Sequence, residues 1–391
     1  MALRIEGKLW IWASELDEVT RAQAHMAASL SIVQPHLALM PDAHLGKGST
    51  IGSVIPTVGA VLPSAVGVDI GCGMLAVRTD VSTETLRARG PLVGLREAIE
   101  EAIPVSAGHY RERPVSGTVV RTLEEQAPRS YDDTQGHHDW RLQLGTLGGG
   151  NHFIEVSEDE AGQVWVFLHS GSRGIGNRIA TEHIQQAENL CRGLLPAGGG
   201  KQISDLAQLL EGTASFDRYI ADLRWAQDFA ARNREAMMED ALRALERFLG
   251  RSVGRSDPIA CCHNYTRQET HFGEQVWLTR KGAISAQAGE VGLIPGSMGT
   301  ASYVVEGLGN RDAFCSAPHG AGRRMSRGQA KRSFDLEDLA SAMEGIEYRA
   351  SETLIDEHPG AYKGIAQVME DARDLVTIRH TLHQLVNVKG D

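Results

Sequence analysis

Long apolar runs are missing from this 391-residue chain. None reaches the roughly 18 residues that a membrane-crossing helix needs. The opening segment, Met1 to Trp12, carries charge and lacks the apolar core of a signal peptide, so a cytoplasmic protein without membrane attachment is expected. Cysteine is scarce. Cys72, Cys191, Cys261, Cys262 and Cys315 are odd in number and irregularly spaced, which argues against a secreted disulfide framework. Positive charge is in deficit, with a formal net charge of -11. Taken alone, that argues against a nucleic-acid partner, because phosphate contacts need Lys and Arg. A global average does not exclude a local patch, however. Arg323, Arg324, Arg327, Lys331 and Arg332 form either such a patch or a solvated helical face. Internal repeats, low-complexity segments and clean linkers are absent too.

What is present suits a globular core: 42% of residues are hydrophobic and 23% charged. Helical spacing appears over Ser14 to Leu30, with Ser14 as its cap, and over Ser82 to Ile103, with a break at Gly90-Pro91. It returns over Asn177 to Leu194 and most strongly over Asp217 to Leu249. Further helices are expected between Ser326 and Val376. Ile51 to Pro56, Met74 to Val77, Val164 to Leu168 and the Gly-rich stretch Val276 to Gly307 read as strands and turns. Ala107 to Arg141 reads as an irregular surface excursion. Length alone suggests two or three domains. The unusual motifs, however, lie far apart and mostly on loops after β-like runs. That predicts one large α+β domain over residues 1–391, with central β-sheets, flanking helices (a helical excursion near 177–250 among them) and a loop-built active site.

Five segments carry chemistry. Val68-Asp69-Ile70-Gly71-Cys72-Gly73 brings a carboxylate and a thiolate together among glycines. Gly148-Gly149-Gly150-Asn151-His152-Phe153-Ile154-Glu155, Leu168-His169-Ser170-Gly171-Ser172-Arg173-Gly174 and Cys262-His263-Asn264 each add a histidine. The fifth runs Cys315-Ser316-Ala317-Pro318-His319-Gly320-Ala321-Gly322-Arg323. A lone histidine at a strand end is usually structural. Together, Asp69, Cys72, His152, His169 and His263 make an N/O/S set able to hold one or two divalent metals. His319, between Pro and Gly, could act as a covalent nucleophile. Gly46-Lys47-Gly48-Ser49 fails the phosphate-loop spacing, and Gly171 to Gly176 fails the dinucleotide spacing. Adjacent Cys261 and Cys262 make no CxxC pair.

In these motifs the chain resembles the RtcB-type RNA-splicing ligases, over essentially its whole length. The resemblance also runs through Met40 to Gly48, Val66 to Gly73, Leu147 to Glu155, Pro295 to Thr300 and the terminal Lys389-Gly390. Arg280 to Ala283 look closest to the bacterial branch. It implies two Mn²⁺ ions, with Cys72 bridging, Asp69 and His152 completing one and His169 and His263 the other. His319 would be the guanylylated residue. Asn151, Glu155, Asn264, Ser297, Ser302, Gly320, Ala321, Gly322 and Lys389 would hold GTP, and Arg173 and Arg323 would neighbour the reacting phosphates. The substrate would be RNA with a 3′-phosphate or 2′,3′-cyclic phosphate end and a 5′-hydroxyl end, with an archease-type activator as a further partner. Asp42 is the candidate for deprotonating the 5′-hydroxyl, or else an Asx-turn residue after Pro41. A metal-dependent phosphodiesterase or phosphatase would use the same ligand set but leaves His319 and Lys389 without a role. A non-catalytic RNA-binding relative would tolerate losing the ligands that are here intact.

Overall fold

The computed structural model of the chain describes residues 3–390 except 116, 129–130, 132–138, 193–205 and 257. Two β-sheets face each other across a shared core. The first has the order Arg4–Glu6, Leu9–Ile11, Leu37–His44, Ile51–Thr57, Glu274–Lys281, Asn264–His271. The second runs Ile259–Cys262, Gly73–Ser82, Gln163–Ser170, Phe153–Glu158, Val376–Lys389, Ser302–Gly307, Val291–Ile294, with Glu347–Tyr348 added beside Val376–Lys389. Ala38, Met40, Val54 and Leu278 of the first sheet meet Met74, Ala76, Phe167 and Val304 of the second.

Side chains alternate along a strand, so the second sheet has a second apolar face. Leu75, Val77, Val156, Val166 and Leu168 point there. They pack on Leu95 and Ile99 of helix Val93–Ala102 and on Met237, Leu242 and Leu245 of helix Ala214–Leu249. Burying each such side chain contributes about 1.5–3 kcal/mol. The 36-residue helix is bounded by the Thr213 side chain, which accepts from Phe216 N, and by Gly250 in the left-handed region at φ 69°. It spans the core beneath the site described below.

Mostly antiparallel sheets packed with helices give the α+β class expected from the sequence. Several boundaries differ. The first helix is Glu18–Ala28, capped by Asp17. Ser14 instead donates its backbone N–H to Asp371 Oδ2 at 2.8 Å. The stretch read as an irregular excursion contains helix Gly117–Gln126, which buries Val120 and Leu123. The helix expected from Asn177 starts at Arg173 and ends at Leu190; residues 193–194 fall outside the described residues. Asp42 lies in a strand, not in an Asx turn. Among the described residues no helix is long and apolar enough to cross a membrane.

Candidate active site

Strand direction gathers the chemistry at one end of the second sheet. Gly73 pairs with Ser170 and with Cys262, His169 with Met74 and with Phe153, and Lys389 with Phe153. The antiparallel registers therefore put the starts of Gly73–Ser82 and Phe153–Glu158 beside the ends of Gln163–Ser170, Ile259–Cys262 and Val376–Lys389. Cys72, His152, His169, His263 and Lys389 come together for that reason. The loop before Cys72 packs tightly. Gly71 sits at φ 69°, and a Cβ there would lie 2.9 Å from Gln227 Cα of the long helix, so only glycine fits.

Two overlapping ligand groups result, Asp69–Cys72–His152 and Cys72–His169–His263, with Cys72 common to both. Cys72 Sγ lies 3.7 Å from His152 Nε2 and 3.2 Å from His169 Nε2. Asp69 Oδ2 is 2.9 Å from His152 Nε2, and His169 Nε2 is 2.9 Å from His263 Nε2. Each Nδ1 faces an acceptor: Leu147 O for His152, Asn151 O for His169 and Asn264 Oδ1 for His263. Asn264 Oδ1 also accepts from Gly282 N, which fixes the orientation of that amide. With both Nδ1 atoms donating, His169 and His263 turn Nε2 lone pairs toward each other, an arrangement that a shared cation would stabilise. Burial, then neighbouring histidines, push both imidazoles well below their usual range. They are therefore neutral, as ligands must be. Burial raises the Asp69 carboxyl, but its hydrogen bond to His152 and further neighbours outweigh this and leave it at about 2. This soft and hard donor set fits a pair of first-row divalent ions.

His319 follows strand Ser316–Pro318, which pairs with Ala283–Ser285. Its backbone N–H, its Nδ1 and the N–H of Gly320 all donate to Asp42 Oδ2, at 2.9, 2.6 and 3.2 Å. With Nδ1 so engaged, Nε2 is the free nitrogen. The ring stands 4.6 Å, centroid to centroid, from that of His263, so His319 and the candidate ligand cluster adjoin. Asp42 is fully buried, and its Oδ1 has no partner among the described residues. His44 is held at about 4 by burial and donates Nδ1–H to Asp42 O.

A cavity of about 550 Å³ opens over this group, within the range of small-ligand pockets, about 300–1,000 Å³. Asn151, Glu155, Asn264, Ser297, Gly320, Ala321, Gly322 and Lys389 line it, as do Asp69, His169, His263, His319 and Arg323. Cys72, His152, Asp42, Ser302 and Arg173 are not among the lining residues. Ser302 reaches the cavity through Glu155, to whose Oε2 it donates at 3.3 Å. Burial pushes the Glu155 carboxyl up to about 8. Arg173 turns its Nε to Thr146 Oγ1 at 3.0 Å.

Glu357 and Tyr362 escaped the sequence reading. The buried Glu357 carboxylate collects Lys389 Nζ at 3.2 Å, Arg323 Nη1 at 3.3 Å, Arg327 Nη1 at 2.7 Å and the Tyr362 hydroxyl at 2.6 Å. Arg327 also pairs with Asp356, and Arg324 donates to Gly360 O. Arg323 and Arg327 of the basic patch are thus held internally by Glu357 and Asp356. The acidic residues Glu352, Asp356 and Glu357 were the available signal, but acidic runs are common on surfaces.

The fold and cavity define an α+β protein built around a candidate metal cluster with a histidine beside it. The family model described as tRNA-splicing ligase RtcB matches residues 23–390. The chain is 45% identical to the RNA-splicing ligase RtcB of Escherichia coli K12, over 98% of this chain and 97% of that one. It is 32% identical to the RNA-splicing ligase RtcB of Mycobacterium tuberculosis, covering 85% and 91% of the two chains. The figure is 31% for the tRNA-splicing ligase RtcB of Pyrobaculum aerophilum, covering 88% and 85%. The chain belongs to the RtcB family of RNA-splicing ligases.

Proposed function

We propose that this protein is a GTP- and Mn²⁺-dependent RNA ligase that guanylylates His319 and joins a 3′-phosphate RNA end to a 5′-hydroxyl end. The observation that carries this reading is the Asp42–His319 pair beside the ligand cluster. A phosphatase would also use the cluster and could use such a histidine as a general acid, but it leaves Lys389, which lines the same cavity, without a role. Asp69, Cys72 and His152 would hold one metal, and Cys72, His169 and His263 the other. Bound there, the ions would neutralise phosphate charge and align attack.

His319 Nε2 attacks the α-phosphorus of GTP. A P–N bond forms, the P–O bond to pyrophosphate breaks, and Asp42 stabilises the positive charge that develops on the ring. An oxygen of the RNA 3′-phosphate then attacks the same phosphorus, breaking the P–N bond and carrying GMP to the RNA end. The 5′-hydroxyl attacks the activated 3′-phosphorus, forms the diester and expels GMP. A 2′,3′-cyclic phosphate is first opened by water. Asp42, buried behind His319 and bound to it, suits the role of orienting the histidine better than that of a base for the 5′-hydroxyl.

Lys389, Glu155 and Ser297 suit recognition of the guanine nucleotide, since all three line the cavity. The Gly320–Gly322 stretch lets backbone groups approach a phosphate closely. The direct test is a ligation assay with 3′-phosphate and 5′-hydroxyl RNAs, with and without GTP and Mn²⁺. Product only when both are present supports the reading. Phosphate release or strand cleavage without ligation would return the protein to the phosphatase or phosphodiesterase class.

A further inference from the structure

The long helix carries a buried cation that the reaction does not use. Arg234 is 3% exposed, and no carboxylate pairs with it among the described residues. An unpaired buried guanidinium is costly unless its donors are met in another way. Here they are met by the loops that bear the candidate ligands. Arg234 Nη1 donates to Gly71 O and Ser170 O, both at 2.8 Å, and Nη2 donates to Cys262 Sγ at 3.2 Å. Gly71 precedes Cys72, Ser170 follows His169, and Cys262 precedes His263.

The residue before it completes the set. Asn233 is fully buried. Its Oδ1 accepts from Gly145 N at 2.7 Å and Thr146 N at 3.2 Å. Its Nδ2 donates to Thr146 O, Ser170 Oγ and Gly171 O, at 3.2, 3.1 and 3.3 Å. The 145–146 turn leads to Leu147, whose carbonyl receives His152 Nδ1. The segments that supply the candidate ligands are therefore tied to two adjacent side chains on one helix, next to the ligand for Cys72, His169 and His263 and through the 145–146 turn and Leu147 for His152.

We infer that Asn233 and Arg234 are positioning residues, a clamp on the long helix that sets the spacing of the two ligand groups and so the affinity for the metal pair. The fork shape of the guanidinium matters as much as its charge, because three acceptors on three loops are spanned by one rigid plane. A lysine ammonium keeps the charge but cannot span all three.

The inference rests on the metal-site reading, and its test separates the two. Purified full-length protein is titrated with Co²⁺, following stoichiometry, affinity and the thiolate-to-cobalt charge-transfer absorption of Cys72, with circular dichroism as the folding control. Wild type should bind two ions. Arg234→Met and Arg234→Lys should fold, yet bind about 10–100-fold more weakly, as loss of a residue that orients metal ligands does, with altered charge-transfer bands. Full rescue by Arg234→Lys, or a folded Arg234→Met with unchanged affinity and bands, would overturn the clamp. If Arg234→Met does not fold, Asn233→Ala and Cys262→Ala decide. Each removes part of the clamp and should weaken binding about tenfold, and unchanged affinity in both would overturn it. A wild type that binds no Co²⁺ would overturn the metal site, and the clamp with it.

Discussion

Single side chains set the chemistry by what they exclude. Asp42 accepts three N–H groups on one oxygen, so the ring of His319 has one orientation and one free nitrogen. Asp42→Asn keeps an acceptor but loses the charge that stabilises the guanylylated imidazolium. Its guanylylation rate should fall on the order of 10²-fold or more with Co²⁺ binding unchanged, measured by incorporation of labelled GMP. Cys72→Ala removes the ligand common to both groups. It should abolish guanylylation and ligation together, and a folded variant with normal activity would sink the two-metal assignment. Glu155 gives a pH signature. Burial raises its carboxyl from the ordinary 4.5 to about 8, so between those values the folded state holds a proton that the unfolded chain releases. Stability should therefore fall as pH rises through that window, and it has no such term below about 4.5. Thermal melts of Glu155→Gln should show a smaller loss between pH 5 and about 8.5 than wild type; parallel curves would deny the shift.

At the scale of elements, Val376–Lys389 matters most. This 14-residue strand lies inside the second sheet and delivers Lys389 to the buried Glu357 carboxylate. Lys389→Met keeps the strand and removes one charge-assisted hydrogen bond. Its GTP requirement should rise about 10–100-fold with the melting profile nearly intact, measured as the GTP dependence of guanylylation. An unchanged requirement would make Lys389 a structural plug. The family resemblance marked Lys389 as a candidate nucleotide-binding residue but not the strand that carries it. Thr377, Ile378 and Arg379 of the strand are exposed, its last six residues are all buried, and its register shifts between Gln384 and Val386, so no period of two survives to be read. Helix Gly117–Gln126 was hidden because it buries only Val120 and Leu123. Most of the candidate ligand segments were legible because Asp69, Cys72, His152 and His169 each stand near glycines, a combination that packing alone does not require, while His263 was marked by the adjacent Cys262. Asn233 and Arg234 were not, since nothing in a regular helical pattern marks which polar residues face inward toward segments 28 to 163 positions away. Asp391 lies outside the described residues.

Taken as a whole, the molecule carries a net charge of -11, and Arg323 and Arg327, which line the cavity with His319, are held by Glu357 and Asp356. Binding of RNA at this cavity would exchange some of those internal pairs for phosphate contacts. Affinity should therefore fall as salt rises, with a slope of about -0.7 for each phosphate engaged by a single strand, measured with catalytically silent His319→Ala protein. Indifference to salt would argue against a basic path near His319. The central claim is the covalent histidine, and it has a direct measurement. Wild type is incubated with GTP and metal, and its peptides are mapped by mass spectrometry alongside those of His319→Ala. GMP should sit on His319 through a bond that is labile in acid and stable in base. The variant should carry no GMP, yet should seal RNA supplied with a GMP-activated 3′ end. GMP found on a lysine, or full activity of His319→Ala on unactivated RNA, would contradict the mechanism.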